Sequence, residues 1–350
     1  MKKVGIILVN YKDYARQYLG ACRDSLRLQT YSNFQVYLID NASSAESLEY
    51  LKNFYPEAIV LSREDGNYCA ANNLGMTTAI KDDCNYLVAA NMDTEFDSNW
   101  LKELVAALDI NQAAGVAQSL ILLDPKNEAE HRDPLINTAG NLIHFLFFGF
   151  TSCYRQKKSE LKIENYSEIS YASGCSFIVR PEVYTEIGGY NENYYMYHDD
   201  LDISLKARLA GYKIIIATKS EVFHKYEFER SMRMLYYMER NRILSYFSFY
   251  SISYLILLAP LFIIMSLGMG LFAIKSGWFK TKLEVDLYFL KISTWRLIIK
   301  NRLQLQKITK KSPKEIRKTF VGSIEFQEID NPILKYLVNP VFNFCWQLIK

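Results

Sequence analysis

The first 125 residues alternate between short β-branched runs and helical patterns, and that rhythm restricts the fold more than any other feature of the chain. The runs are Val4 to Val9, Phe34 to Ile39, Ala58 to Leu61, Tyr86 to Ala89 and Gly115 to Leu123. The stretches between them carry helical periodicity. Such alternation predicts an α/β fold with a mostly parallel, Rossmann-like central sheet flanked by helices. Functional residues in sheets of this kind gather beyond the carboxyl ends of the strands. Those ends read Asn10 and Tyr11, then Asp40 and Asn41, then Asn91, Met92 and Asp93. A carboxylate at Asp40 can accept hydrogen bonds from a base imide or a ribose hydroxyl, or simply shape a βα turn. Ser43 is expected to cap the helix that follows.

Half of the residues are apolar and 26 are tyrosine, which excludes a disordered chain. The six cysteines are scattered without CxxC spacing, so they predict neither a disulfide framework nor a zinc site, and they fit a reducing compartment. The amino terminus reads as a buried first strand, because its apolar run is short and leads into Asn10 and Lys12. Residues 64–75 place Gly66, Asn67, Asn72, Asn73 and Gly75 around a helix start. Amides and free backbone N–H groups there suit a phosphate or a ribose, and equally make an ordinary turn. The spacing is neither GxGxxG nor GxxxxGK[ST].

Residues 172–224 are the densest chemical stretch. Asp199, Asp200 and Asp202 occupy three of four positions at the start of a helix whose Leu201, Leu205 and Leu209 share a face, with Gly211 as its stop. Capping accounts for one acid at a helix N-terminus. Three acids point further, to a cation, a proton transfer or solvent. His224 follows a second strand-like run. A hard divalent cation bridging a diphosphate needs only one or two protein carboxylates. Asp93 can supply one, and His224 is a further candidate ligand.

From Ile243 to Ile274 no residue is charged, and Pro260 falls near the middle. The run is long enough to span a bilayer, and the proline favours a kinked pair of helices instead. From Lys275 to Lys318 there are thirteen Lys or Arg against three acids, in a chain whose net charge is only +3. That collar suits an anionic cytoplasmic membrane surface. No nucleic-acid partner is expected, since no nucleic-acid-binding module is present. The expected division is a catalytic domain over 1–228 and a helical membrane-associating region over 229–350.

Taken in order, ILVNYK (7–12), LIDNAS (38–43), CAANNLG (69–75), NMD (91–93) and the block from Ser173 to VFH at 222–224 resemble the family 2 inverting glycosyltransferases, in particular their rhamnosyltransferase-like branch. The resemblance spans roughly residues 4 to 226 and is most specific over 173–224. It implies a GT-A fold, a nucleotide-sugar donor and a divalent metal, Mn²⁺ or Mg²⁺. Carried over by position, Tyr11 and Asp40 would face the base, with Asn10, Asn67, Asn72, Asn73 and Asn91 in the donor pocket. Asp93 and His224 would hold the metal, and Asp200, or its neighbour Asp199, would be the general base.

Four positions depart from the family pattern. Asn91 opens the DxD-like motif, Asn67 stands where a glycine is common, and His198 and Asp199 stand where Tyr and Glu are common. The QxxRW element of processive synthases is absent from the sequence. The implied activity is therefore transfer of one sugar, first choice rhamnose from dTDP-rhamnose, to a saccharide or polyprenyl-linked saccharide at the cytoplasmic face of the cell membrane. A galactosyl or glucosyl donor, or a non-catalytic membrane scaffold, are the competing readings.

Overall fold

The computed structural model describes residues 1–225, 231–325 and 332–350. Contacts divide it into two units, Met1–Leu142 with Thr151–Glu227, and Ile143–Phe150 with Phe228–Lys350. The expected boundary at 228/229 lies outside the described residues.

The first unit begins β1 (Val4–Tyr11), α1 (Tyr14–Arg27), β2 (Phe34–Asn41), α2 (Ala45–Phe54), β3 (Ile59–Arg63), α3 (Tyr68–Lys81) and β4 (Tyr86–Ala90). It continues through β5 (Thr94–Phe96), α4 (Trp100–Ile110), β6 (Ala114–Leu123), α5 (Glu128–Arg132) and β7 (Ile136–Thr138). After β8 (Asn141–His144) and β9 (Gly149–Thr151), which lead the chain into the second unit and back, it closes with β10 (Ser176–Val179), α6 (Pro181–Glu186), α7 (Asp199–Leu209) and β11 (Lys213–His224). The main sheet runs β3-β2-β1-β4-β10-β6-β11-β5, with β7 beside β6.

The strands of the first ninety residues pair in parallel, as the alternation predicts. Beyond them the sheet is mixed. β10 lies antiparallel between β4 and β6, and β5 lies antiparallel on β11. The four-residue run Ser176–Val179, buried throughout, is short enough to be overlooked among the loops around it.

Apolar positions on one face of the sheet, including Ile6, Leu8, Val88 and Ile178, pack with Leu19, Cys22 and Leu26 of α1 and Leu101, Leu104 and Leu108 of α4. On β1, α3 approaches closely because Gly75 has no side chain: a Cβ there would sit 2.8 Å from Ile7 Cγ2. Gly75→Ala is expected to cost about 1–3 kcal/mol through overpacking, read as a lower urea midpoint with an unchanged slope.

One local expectation is corrected. The cap of α2 is Ser44, not Ser43, because Ser44 and Ser47 form a reciprocal capping box. Asn67 has φ −78° and caps α3 through Ala70 N–H, whereas the left-handed residue of that loop is Gly66, φ +67°.

The second unit contains the short sheet β12-β8-β9, where β12 is Phe320–Val321. Its helices are α8 (Met232–Phe249), α9 (Ile252–Lys275), α10 (Phe279–Tyr288), α11 (Ile292–Ile308), α12 (Pro313–Arg317) and α13 (Asn339–Ile349). Phe145 stacks on Trp346 at 5.0 Å between centroids, and Tyr250 donates to the Phe145 carbonyl at 2.7 Å. Arg242 is 2% exposed; it grips Glu239 with two N–H groups at 2.7 and 2.8 Å and donates to the Leu146 carbonyl. A buried cation is tolerable only when paired and hydrogen-bonded in this way.

The expected kinked helix pair about Pro260 is not what forms. The uncharged run breaks at Tyr250 and Ser251 instead, where the Ser251 side chain accepts from Tyr254 N–H and starts α9. Ile243, Leu244 and Tyr246 end up buried in α8, and Pro260 sits inside the single 24-residue helix α9.

Candidate active site

Asp93 lies between β4 and β5, and His224 is the last residue of β11. Register brings them together, because His224 pairs with Thr94, the residue after Asp93. His224 Nε2 lies 3.3 Å from Asp93 Oδ2, while its Nδ1 is 3.0 Å from Asn137 Oδ1. An Nδ1–H donated to Asn137 leaves Nε2 facing Asp93, the orientation a metal-ligating histidine needs. Asp93 Oδ1 is buried with no hydrogen bond. Burial would raise the Asp93 carboxyl, but the His224 hydrogen bond and charge hold it below the usual carboxylate range. Burial would also depress the His224 imidazolium; Cys175 and Asp93 outweigh it and raise His224 to about 10.

These residues fit a divalent cation. One carboxylate oxygen lacks a partner, and an imidazole nitrogen is aimed beside it. Among the described residues no group of three His, Cys, Asp or Glu forms a closed metal site. Two protein ligands with the rest from water and ligand phosphate is the usual pattern for Mg²⁺-type ions.

The three aspartates separate by environment. Asp202 is used structurally: it pairs with Lys206 at 2.8 Å, and Lys206 donates to the Gly189 carbonyl, all three inside the protein. Asp199 is 6% exposed, and burial first, then the Asp200 charge, push its carboxyl well above the ordinary range. Asp200 is half-buried. Its Oδ2 accepts from Gly174 N–H at 3.0 Å and its Oδ1 from Leu201 N–H at 2.8 Å, and these bonds oppose the upward push of burial. Asp200 is thus the more accessible carboxylate and the better supported anion. Tyr195, Tyr197 and His198, immediately before it, all have positive φ (67°, 63° and 59°). Strain of that kind concentrates at functional sites.

Gly174 and Cys175 join the two groups. Gly174 N–H holds Asp200, while the Cys175 carbonyl accepts from Asn91 N–H at 2.9 Å and its thiol adjoins His224. Asn91 Oδ1 also accepts from Tyr68 at 3.4 Å. The candidate base and the candidate metal pair are therefore built on one stretch of backbone.

The family model described as "Glycosyl transferase family 2" matches residues 5–188, more than half of the chain. The chain belongs to glycosyl transferase family 2. It is 26% identical over 233 residues to the O-antigen biosynthesis protein RfbC of Myxococcus xanthus, covering 62% of this chain and 17% of that one. It is 25% identical over 225 residues to the N-acetylglucosaminyl-diphospho-decaprenol L-rhamnosyltransferase of Mycobacterium tuberculosis (strain CDC 1551 / Oshkosh), covering 57% and 69%. The chain spans only 17% and 24% of the length of two of its curated relatives. The crystal structure of GalNAc-T7 with UDP, GalNAc and Mn²⁺ superposes with a TM-score of 0.53 at 17% identity, over 71% of this chain and 50% of that one. That likeness shows the fold, which is GT-A.

The remaining expected site residues of this family 2 chain are largely engaged inside the protein. Asp40, expected to meet a base, is fully buried, with its oxygens accepting from Asn10 Nδ2 at 2.8 Å and Ser47 Oγ at 2.5 Å. Asn10 in turn accepts from Ala15 N–H and so anchors the start of α1. Asn72 donates to the Tyr68 carbonyl, and Asn73 ties Tyr184, Tyr190 and Glu192 to α3. Asn67 Nδ2 donates to the Glu192 carbonyl. These amides position neighbouring loops and have few donor atoms to spare for a ligand. Tyr11 is half-buried beside Gly66, whose missing side chain leaves room for the Tyr11 and Tyr195 rings. Asn137, Gly174 and Cys175, which contact the candidate residues, were not singled out by the sequence. They sit in loops or short strands with no charged or periodic signature; only their contacts single them out.

Proposed function

We propose that this protein is a membrane-associated glycosyltransferase that moves one sugar from a nucleotide-sugar donor to a hydroxyl of a saccharide acceptor, inverting the anomeric carbon. The observation that carries the reading is the shared backbone of Gly174 and Cys175, which holds a half-buried carboxylate beside a carboxylate–histidine pair. Asp200 accepts the acceptor's hydroxyl proton, and its two backbone donors favour the anionic form against the upward push of burial. Asp93 and His224 hold a divalent cation, which when bound supplies positive charge against the departing diphosphate. Asn137 fixes the His224 ring, and Asn10 with Asp40 fixes the floor at the ends of β1 and β2.

The donor we favour is dTDP-rhamnose, and the acceptor a lipid-linked or growing surface saccharide, supported by the rhamnosyltransferase relative. A thermal-shift screen tests the donor, since ligands that bind only the native state raise its midpoint. dTDP-rhamnose with Mn²⁺ should raise it; a response confined to UDP-glucose or UDP-galactose replaces rhamnose with that sugar, and nucleotide binding without diphosphate release makes the protein a scaffold.

We place the catalytic role in residues 1–228 and membrane attachment in 229–350. α9 has a mean hydropathy of 2.5 over its best window, only 11% of which is buried. At 1.5 Å per residue it is about 36 Å long, and we lay it along the inner leaflet, since crossing once would carry the basic collar to the outer face. Phe279, Leu283 and Leu287 of α10, Trp295, Ile299 and Leu303 of α11, and Val341, Phe344 and Leu348 of α13 are also exposed. Their three- and four-residue spacing gives each helix one bare apolar face, as in helices lying in a membrane interface. With the basic collar at 275–318, this supports attachment to the inner leaflet.

The protein is expected to pellet with membranes, to resist salt and to be released by detergent. Protease should reach residues 276–320 in inverted vesicles. Cleavage only in right-side-out vesicles would place the collar outside and overturn the topology.

A further inference from the structure

Between α8 and α10 the second unit has an open cavity of about 570 Å³, none of whose polar lining residues has a role above. Tyr236, Tyr237 and Tyr288 line it, with Arg233 and Lys291 as its cations and Glu284 as its acid. The same three rings surround Arg240, whose guanidinium carbon lies 5.6, 4.7 and 5.4 Å from their centroids. Arg240 is buried and donates through Nε and Nη2 to Asn241 Oδ1 at 2.9 and 2.7 Å. A guanidinium held among aromatic faces is a fixed charge, weakly hydrated and always ionised. Among the described residues the lining holds two cations and one acid, and Arg240 stands behind the rings.

The apolar side of the cavity is equally specific. Leu287 and Met232 line it and are 49% and 52% exposed. Leu287 shares a helical face with the exposed Leu283 and continues to the exposed Leu290. A basic aromatic basin thus meets the surface that the membrane-facing reading turns toward lipid.

We propose that this cavity binds the phosphate head of a lipid. Arg233 and Lys291 donate to the phosphate oxygens, the Arg240 charge lies behind the rings, and the first carbons of the chain pack on the tyrosines and Leu287. Two sources share this chemistry: an anionic phospholipid of the bilayer, and the diphosphate of a polyprenyl-linked acceptor. The proposal rests on the membrane-facing reading of the second unit and is independent of sugar transfer.

The test uses the full chain and three soluble probes: geranyl diphosphate, dihexanoyl phosphatidylglycerol and inorganic diphosphate, titrated by calorimetry. The variant is Arg233→Gln with Lys291→Gln, both exposed; the control, Lys310→Gln with Lys311→Gln, removes equal charge from the collar away from the cavity. At least one lipid phosphate should bind about tenfold tighter than inorganic diphosphate. The cavity variant should lose about thirtyfold, roughly fivefold per charge, and the control about twofold or less.

Preference for geranyl diphosphate assigns the cavity to the acceptor, and preference for the phosphatidylglycerol assigns it to bulk lipid. Equal binding of inorganic diphosphate, or equal losses in variant and control, overturns the proposal. Melting curves of both variants check folding. Flotation of the wild type with phosphatidylcholine vesicles, with and without phosphatidylglycerol, tests the membrane reading separately. Nucleotide-sugar thermal shifts, which the cavity variant should leave unchanged, test the transferase reading.

Discussion

Asp200→Asn is expected to lower turnover by roughly 10²–10⁴ while leaving donor binding intact. The substitution keeps the shape that receives the Gly174 and Leu201 N–H groups and removes only the capacity to take a proton. Asp199→Asn should behave differently. Its carboxyl is the more deeply buried and is pushed up by burial and by the Asp200 charge. Asp199 keeps its proton while Asp200 titrates, so it carries no charge to remove there, and Asp199→Asn should leave the ionisation of Asp200 nearly unchanged.

The sign follows directly. A base works only when deprotonated, so wild-type activity should fall as pH drops through the raised carboxyl range of Asp200, and in Asp199→Asn that acid limb should stay in place. A raised carboxyl also holds its proton more tightly in the folded than in the unfolded chain. Its stabilising contribution is present below the ordinary carboxylate pKa and is lost as pH rises. Asp199→Asn should therefore melt higher than wild type in mildly alkaline buffer. A dead Asp199→Asn beside an active Asp200→Asn would move the base by one residue.

Removal of divalent cations with EDTA should abolish turnover, and His224→Ala should weaken metal-dependent donor binding more than binding of the bare nucleoside. Asn137→Ala, which loses only the partner of His224 Nδ1, should reduce metal affinity by about 10–100-fold. Protons compete with the cation for Nε2. Because His224 is raised to about 10, metal-dependent donor binding should strengthen as pH rises through the neutral range. Calorimetric titration of Mn²⁺ with donor present reads all three effects. Metal-dependent binding unchanged in His224→Ala would remove the histidine from the site.

Much of this site could be read from residue type and position. Asp93 and His224 stand 131 positions apart, yet each follows a strand-like run, and strands placed in one sheet bring such ends together. Asp200 was legible because acids crowded at a helix start exceed what capping requires. Sequence offers Asp200 and Asp199 alike as the candidate base, since burial differs between neighbours only once α7 is packed. Asp40 and the four asparagines 10, 67, 72 and 73 look like ligand contacts in sequence and prove to be bonded internally. A polar residue at a strand or helix end suits either purpose, and only the partners decide. The antiparallel insertion of β10 was hidden for another reason: pairing order depends on contacts more than fifty residues away. Pro260 pointed to a break that Ser251 makes instead, because a side chain that caps a new helix is a stronger stop than one missing N–H group.

The segment Ile143–Phe150, IHFLFFGF, is made midway through the first unit yet is buried with residues synthesised much later, among them Tyr250, Phe320 and Trp346. During translation the ribosome therefore releases a strongly apolar hairpin whose proper cover does not yet exist. For nearly two hundred residues of elongation it must be shielded by chaperone or membrane, or risk adhesion to other nascent chains. The same order of synthesis makes a cut at residue 228 a poor way to obtain the catalytic half alone. Such a polypeptide would keep four phenylalanines bare at its surface and should aggregate, whereas the same truncation with Phe145, Phe147, Phe148 and Phe150 replaced by polar residues should stay in solution.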